Sequence, residues 1–463
     1  MVRDNQPAPP SAPWALRSRH IATPDGPIDG AVVVAHGRIR QVVALDEPLP
    51  TDLAQPPQDL GNLALLPGFI DAHVHLNDPR PGEPWEGFDT GTRAAAAGGV
   101  TTVVDMPLNS LPVTTSVEAL HAKQEAARGR LHTDVGLYAG LVPGNLDALP
   151  GLLDAGVLGV KCFLCDSGLP EFPATDHETL RSAMRVLAEH GQGVPLLAHA
   201  ERTTPQTFPT TPEQRRCHAA WADSRPGTFE QAAVRELLEL AQDTGARLHV
   251  VHVADAGAVD LIRRAKAGGA AVTAETCPHY LAFTQDDVAD GDTRFKCAPP
   301  IRDAKNQAAL WQGLFNGTLD LVASDHSPCP PGLKSTDTGD FFTAWGGIAS
   351  LQLGPAVTWT HARPRGATLE HLADWWAHGP ARLLGLDAGI APGCPANLVA
   401  FDPDAQWTID ADALHHRHAV TPYAGARLQG RAEQVWLHGR AVLHNEQVLD
   451  TPHGVVLRRS DHD

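Results

Sequence analysis

Between about Pro67 and Gly389 the chain repeats one cycle of hydrophobic and polar positions. A short apolar run rich in β-branched residues gives way to a longer alanine- and leucine-rich stretch of helical period. The apolar runs are GFIDAHVH, VTTVVDMP, TDVGLYAGL, LGVKCFL, VPLLAHAE, RLHVVHVA, AVTAETCPH and LDLVASDH. Helical stretches such as SVEALHAKQEAARGR and TFEQAAVRELLELAQDTG separate most of them. Strand alternating with helix predicts an α/β fold with a parallel sheet. Eight such units over this length predict a closed (β/α)8 TIM-type barrel over residues 67–390.

The two ends follow another pattern. GAVVVAHGRIRQVVAL near the start, and ANLVAFDP and AEQVWLHGRAVLHNEQVL near the end, read as short strands, two of the segments being broken at an HGR turn. They predict a small β-sandwich built from both termini, residues 13–66 and 391–463. The segment HRHAVTPYAGARLQGRA is expected to connect the two parts or pack between them. The polar, proline-rich residues 1–12 are expected to be a disordered tail, and they lack the apolar stretch of a secretory leader.

Composition narrows the function classes. The chain has 463 residues, 43% hydrophobic and 19% charged, the balance of a soluble globular protein. A formal net charge of −18 disfavours nucleic acid and anionic membranes, which select basic surfaces. No run of about 18 apolar residues occurs, so no membrane span is expected. Seven scattered cysteines are an odd count, unlike a disulfide framework, and suit a reducing, cytoplasmic setting. Cys162 and Cys165 stand in a C-x-x-C spacing in KCFLC, a weak redox or zinc signal. Because that segment reads as a buried strand, both are expected to be ordinary core cysteines.

The polar residues on the apolar runs carry the chemistry. In such a barrel the reactive residues stand at the C-terminal ends of the strands. Strand one ends in His73 and His75, strand four carries Lys161, strand five ends at His199, strand six at His252 and strand eight at Asp325. Residues two apart on a strand share a face, so His73 and His75 point the same way. All six side chains can then meet at one mouth. With 24 histidines in the chain, most cannot be ligands, and each residue alone has a plainer reading: a core histidine, a snorkelling lysine, a helix cap. Together, four imidazoles and a carboxylate make a site for zinc, iron, cobalt or manganese. A protonated Lys161 would be repelled by such cations. A neutral lysine carbamylated by CO2 becomes an anionic carboxylate able to bridge two metal ions.

Longer segments carry a resemblance. WEGFDTGTRAAAAGGVTTVVDMPLNS, GVKCFL, ETCPHY, KCAPPIRDAKNQ, FNGTLDLVASDHSPCPPGLK and AWGGI are similar to the cyclic amidohydrolases of the amidohydrolase superfamily, and among these most similar to the allantoinases. The resemblance runs from about Ile28 to about Arg440. It implies a binuclear centre of two divalent ions, zinc foremost. His73, His75 and Asp325 would bind one ion, His199 and His252 the other, and N6-carboxylated Lys161 would bridge them. It implies hydrolysis of allantoin to allantoate by a metal-bridging hydroxide, with Asp325 as the proton carrier, in purine and allantoin degradation. It also implies a homotetramer acting on a small cyclic amide or ureide. The close alternative is a hydantoinase or dihydropyrimidinase. A non-enzymatic relative of the kind that keeps the barrel and loses the ligands is disfavoured, since all six are intact.

Departures within the family bear on the ring. Dihydroorotases resemble one another in carrying arginine two residues after the second histidine, where this chain has Asn77, an amide suited to a neutral substrate. Hydantoinases and dihydropyrimidinases carry tyrosine five residues after the bridging lysine, where this chain has Asp166. Asn109 and the backbone at Ala298 match positions that line the substrate pocket, although Asn109 also suits a turn after strand two. The loop NDPRPGEPWEGF is a residue longer than usual and proline-rich, and Asn397 stands where the family more often has aspartate.

Overall fold

The computed structural model describes residues 12–204, 208–209 and 211–459. Apart from Ala12, the tail expected over residues 1–12 lies outside the described residues. The first strands form an antiparallel meander, β1 (Trp14–Thr23), β2 (Gly26–Ala35) and β3 (Arg38–Ala44). The β2–β3 turn is His36-Gly37, with φ of 51° and 74°. Two central residues at positive φ give the turn twist that matches the strands, which is what the HGR motif encodes. Short strands β4 (Gln58–Asp59) and β5 (Ala64–Pro67) then run parallel to β1.

All eight predicted apolar runs become strands, and all of them pair in parallel. They are β6 (Phe69–Val74), β7 (Val100–Asp105), β8 (Asp134–Leu137), β9 (Ala139–Gly140), β10 (Val160–Phe163), β11 (Leu196–His199), β12 (Leu248–Val250), β13 (Val272–Thr276) and β14 (Leu321–Val322). The third run is divided at Tyr138 into β8 and β9. Two parallel arrays result, β6-β7-β8 and β9-β10-β11-β12-β13-β14. Their outer edges also touch: Val74 bridges His326 in parallel, and the His75 amide donates to the His326 carbonyl at 2.8 Å.

Helices bury alanine- and leucine-rich faces against these strands. Helix Gly227–Thr244 buries Phe229, Ala233, Val234, Leu237, Leu240 and Ala241 at three- and four-residue spacing. Gly245 ends it in the left-handed region at φ 75°. A buried ion pair joins a helix to a strand end. Lys123, on helix Val117–Ala127, reaches Asp105 at 2.7 Å and the Met106 carbonyl at 2.8 Å. The second oxygen of Asp105 accepts from the Leu76 amide at 2.7 Å, tying the ends of β6 and β7 together. Removing one partner of such a buried pair costs about 3–5 kcal/mol.

The C-terminal strands are β15 (Leu398–Thr408), β16 (Arg427–Leu437), β17 (Arg440–His444) and β18 (Gln447–Val448). They join the N-terminal strands in one nine-stranded sheet, ordered β18-β17-β16-β15-β5-β1-β2-β3, with β4 also on β1. The sheet curls strongly. Trp14 on β1 and Trp436 on β16 lie three strands apart in that order, yet their ring centroids are 6.2 Å apart. The β2–β3 turn returns to the start of β15, where Ile39 donates to the Cys394 carbonyl and Ala396 to Gly37, both at 2.9 Å.

The segment before β16 packs on the parallel strands' side of the molecule: Arg417 donates from its backbone to Glu86 at 3.1 Å, and Thr421 to the Ala349 carbonyl at 2.7 Å. The final stretch leaves the sheet, and Val456 pairs with Val135 of β8.

Candidate metal centre

All six residues singled out by their place on the strands open on one cleft of about 890 Å³. Lys161 lies on β10 and His199 ends β11, while His75, His252 and Asp325 stand just beyond β6, β12 and β14. Nε2 of His73 is 3.1 Å, and Nε2 of His75 3.4 Å, from one oxygen of Asp325. Donor atoms of these three lie within 4.8 Å of one another, close enough for a single ion. His252 meets His199 edge-on at 4.6 Å between ring centroids and approaches His73 at 5.4 Å. Phe163 stacks on His199 at 4.5 Å, and the Lys161 amine lies 5.2 Å from that phenyl ring. His252 and Asp325 have positive φ, 39° and 46°, as do Asn77 and Asn109 at 59° and 67°. Such conformations cost on the order of 1–3 kcal/mol each and gather at functional sites.

Electrostatics favours a metal. Burial pulls His75 down to about 4, against the opposing pull of Asp325. Burial likewise lowers His199 and holds His252 well below its ordinary value. These imidazoles are therefore neutral near pH 7, the form that binds a cation. Burial alone would raise Asp325, but His73, His75 and His252 outweigh it and hold the carboxyl well below its usual range. Lys161 is 1% exposed, and burial pushes its amine down to about 8 although Asp325 and Glu275 oppose the shift. A minor neutral fraction, the form that reacts with CO2, is then present near neutrality. Neutral imidazoles, a carboxylate and an amine at one cleft suit one or two divalent transition-metal ions.

Three histidines have one ring nitrogen held from behind. His73 Nδ1 is 2.5 Å from Glu275, which also bonds His249 at 3.0 Å. His199 Nε2 is 2.7 Å from Glu201, which Arg225 engages at 3.1 and 2.6 Å. His75 Nδ1 faces the Asn109 amide at 3.3 Å. The two carboxylate contacts leave Nε2 of His73 and Nδ1 of His199 for a metal. The sequence reading missed Glu275 and Glu201. Glu201 stands two residues after His199, the same spacing that drew attention to His73 and His75. Glu275 is a lone carboxylate on an otherwise uncharged strand. Cys165, His199 and Glu201 also lie within 4.8 Å by donor atoms. Arg225 already neutralises Glu201 there, and burial pushes the Cys165 thiol up to about 12, so that trio is a poor cation site. Cys162 is fully buried on β10, as a core cysteine would be.

The four expected substrate contacts divide. Asn109, Asp166 and Ala298 line the cleft. Asp166 is exposed at its rim, where it accepts from the Gly168 amide at 3.0 Å in a turn of its own. Asn77 is not among the cleft-lining residues. It is 3% exposed, and its amide reaches the Pro328 carbonyl at 3.5 Å. Strand pairing ends at Val74 and the backbone at Asn77 is left-handed, so the alternation that aligned His73 and His75 does not extend to it. The longer loop carries Arg80, which lies 4.1 Å from the Trp85 ring and donates to the Asn109 carbonyl at 2.5 Å.

The sequence profile of the amidohydrolase family matches residues 64–442. The chain is 44% identical over 444 residues to an allantoinase of Arabidopsis thaliana, covering 92% of this chain and 87% of that protein. It is 45% identical over 447 residues to an allantoinase of Streptomyces avermitilis, covering 96% and 98%. Among solved structures, an L-hydantoinase (dihydropyrimidinase) from Arthrobacter aurescens superposes with a TM-score of 0.87 at 28% identity, covering 96% of this chain and 99% of that one.

Proposed function

The chain belongs to the amidohydrolase family, and from that premise we propose that it hydrolyses allantoin to allantoate. The observation that carries this reading is the meeting of His73, His75, Lys161, His199, His252 and Asp325 on one cleft, in a chain so similar to allantoinases. His73, His75 and Asp325 would hold one divalent ion, and His199 and His252 a second, with carbamylated Lys161 between them. Zinc suits the imidazole-rich set, which also accepts cobalt, manganese or iron. When bound, such ions make water nucleophilic at neutral pH and polarise a carbonyl.

The chain's own groups supply the rest. Asp325, kept ionised by its histidine neighbours, accepts the proton of the attacking water. The water oxygen bonds to the ring carbonyl carbon, the carbon–nitrogen bond breaks, and Asp325 returns the proton to the departing nitrogen. That nitrogen leaves as part of a urea, whose second carbonyl spreads the developing charge. Glu275 and Glu201 hold His73 and His199 in single tautomers. Asn109 lines the cleft beside His75, its amide nitrogen 3.3 Å from His75 Nδ1.

The same reading includes a closed (β/α)8 barrel over 67–390 and a β-sandwich made by the two ends. The Val74–His326 bridge supports the first and the Trp14–Trp436 contact the second. A homotetramer and a cytoplasmic setting complete it, on the strength of the family resemblance and the cysteine usage. A hydantoinase or dihydropyrimidinase activity is the second reading, favoured by the structural likeness to a hydantoinase.

A panel of allantoin, hydantoin, dihydrouracil and dihydroorotate, given to metal-reconstituted protein, separates the readings. Allantoin should have the highest kcat/KM, and preference for any other ring would overturn the substrate assignment. Glu275→Gln should weaken metal binding by about 10- to 100-fold, because His73 loses the carboxylate that orients it. Metal content after dialysis against graded chelator reads this directly, and unchanged retention would remove Glu275 from the centre.

A further inference from the structure

One polar group in the cleft has no task in the reaction above. Lys296 follows the turn Thr293–Phe295 and lines the same cleft as the six residues of the centre. It is 6% exposed. Its backbone carbonyl is fixed by the Gly347 amide at 2.9 Å and by the Lys334 amine at 3.1 Å. Its own amine lies 4.3 Å from the Trp221 ring and makes one hydrogen bond, to the Ala344 carbonyl at 2.5 Å. An ammonium has three donors. Among the described residues no carboxylate forms an ion pair with it.

The neighbouring Lys334 shows what a structural lysine looks like here. Its amine donates to three backbone carbonyls, those of Lys296, Trp345 and Gly347, and it does not line the cleft. Lys296 is buried to nearly the same degree, makes a single hydrogen bond to the protein from its amine, and lines the cleft. Because Lys296 lines the cleft, a ligand there can offer its amine a further acceptor. Burial, with Lys334 and Arg225 nearby, pushes its amine down to about 7, which suits a neutral acceptor better than a salt bridge.

Resting on the allantoin reading, we propose that Lys296 is a specificity residue that donates a hydrogen bond to the carbonyl oxygen of the ureido arm. The ring carbonyl under attack must lie at the metal-centre residues, and among the described residues Lys296 hydrogen-bonds to none of the six. The arm is the part of allantoin that extends beyond the ring, and Lys296, Trp221 and Trp345 line the cleft that the six residues also line. Hydantoin and dihydrouracil have no such arm.

The test uses the metal-loaded full chain and the variants Lys296→Met and Lys296→Gln. Far-UV circular dichroism and bound metal report whether each variant is intact, and the Gln variant retains an N–H donor if the Met variant does not fold. For Met, kcat/KM for allantoin should fall roughly 10- to 100-fold, the effect of leaving one polar partner unmet. The inhibition constant of hydantoin, measured against allantoin hydrolysis, should stay within about threefold, because hydantoin has no arm to lose a partner. Gln should fall between Met and the wild type. Equal losses for allantoin and hydantoin, or no loss for either, overturn the role of Lys296 while the allantoin reading stands. Wild-type protein that leaves allantoin intact overturns that reading and this inference with it.

Discussion

Lys161→Ala protein should be inactive toward allantoin and should recover part of its activity when a short carboxylic acid and a divalent metal are added together. The expectation rests on place and charge. The amine belongs to a residue on β10 that is 1% exposed, in a cleft it shares with four histidines and Asp325. An ammonium there would oppose any bound cation. Its carbamate would neutralise much of a two-ion centre and hold the ions together, and alanine can do neither. A small carboxylate diffusing into the space left by the side chain would replace the bridging anion, which is why rescue should need acid and metal together. The measurement is turnover across a matrix of acid and metal concentrations. Wild-type rates in the variant without additive would sink the bridging role.

Asp325→Asn should lower kcat by about 10²- to 10⁴-fold, the range for loss of a positioned proton-transfer group. Asparagine keeps the shape and an oxygen for a cation but cannot take up and return a proton. The loss should therefore fall mainly on kcat, with KM for allantoin changed little. The pH profile sharpens the test. The wild-type rate should fall as pH drops far enough to protonate Asp325, whose carboxyl lies well below its usual range. The ionised form is the active one, so activity is present above that pKa and lost below it. The acid limb should disappear in the variant. A variant with an unchanged acid limb and a near-normal kcat would move the proton-carrying role to another group.

The fold was legible because its signal repeats. Eight apolar runs, each needing a helix to return in parallel, left little choice of architecture, and each run became a strand. The split of the third run at Tyr138 was hidden because the sequence is apolar on both sides of the break. The six convergent residues were legible for a related reason: polar side chains at the ends of apolar strands have few other places to go. The residues that support them were harder to see. Glu275 and Glu201 act through hydrogen bonds to histidines, and nothing in their own codes distinguishes an orienting carboxylate from a surface one. Asn77 shows the limit of alternation. Two-residue spacing predicts a common face only while the chain remains a strand, and here the backbone has already turned. Nothing in the sequence marks Lys296, since only its burial and its place on the cleft set it apart from a surface lysine.

The position of β5 has a consequence for how the molecule is made. It is flanked by β1 on one side and β15 on the other, and Leu66 finds its partner in Val399. During synthesis one edge of β5 must wait bare until more than 300 residues have followed it. All nine parallel strands, β6 to β14, emerge in that interval, so they can assemble while the flanking sheet is still incomplete. Pairing at such sequence separation is slow, and an exposed edge in the meantime invites association with other chains. The pairing between Val135 of β8 and Val456 extends the dependence to the end of the described chain. The finished molecule is fastened from both ends, which couples loss of the sheet to loosening of the strands that carry the site.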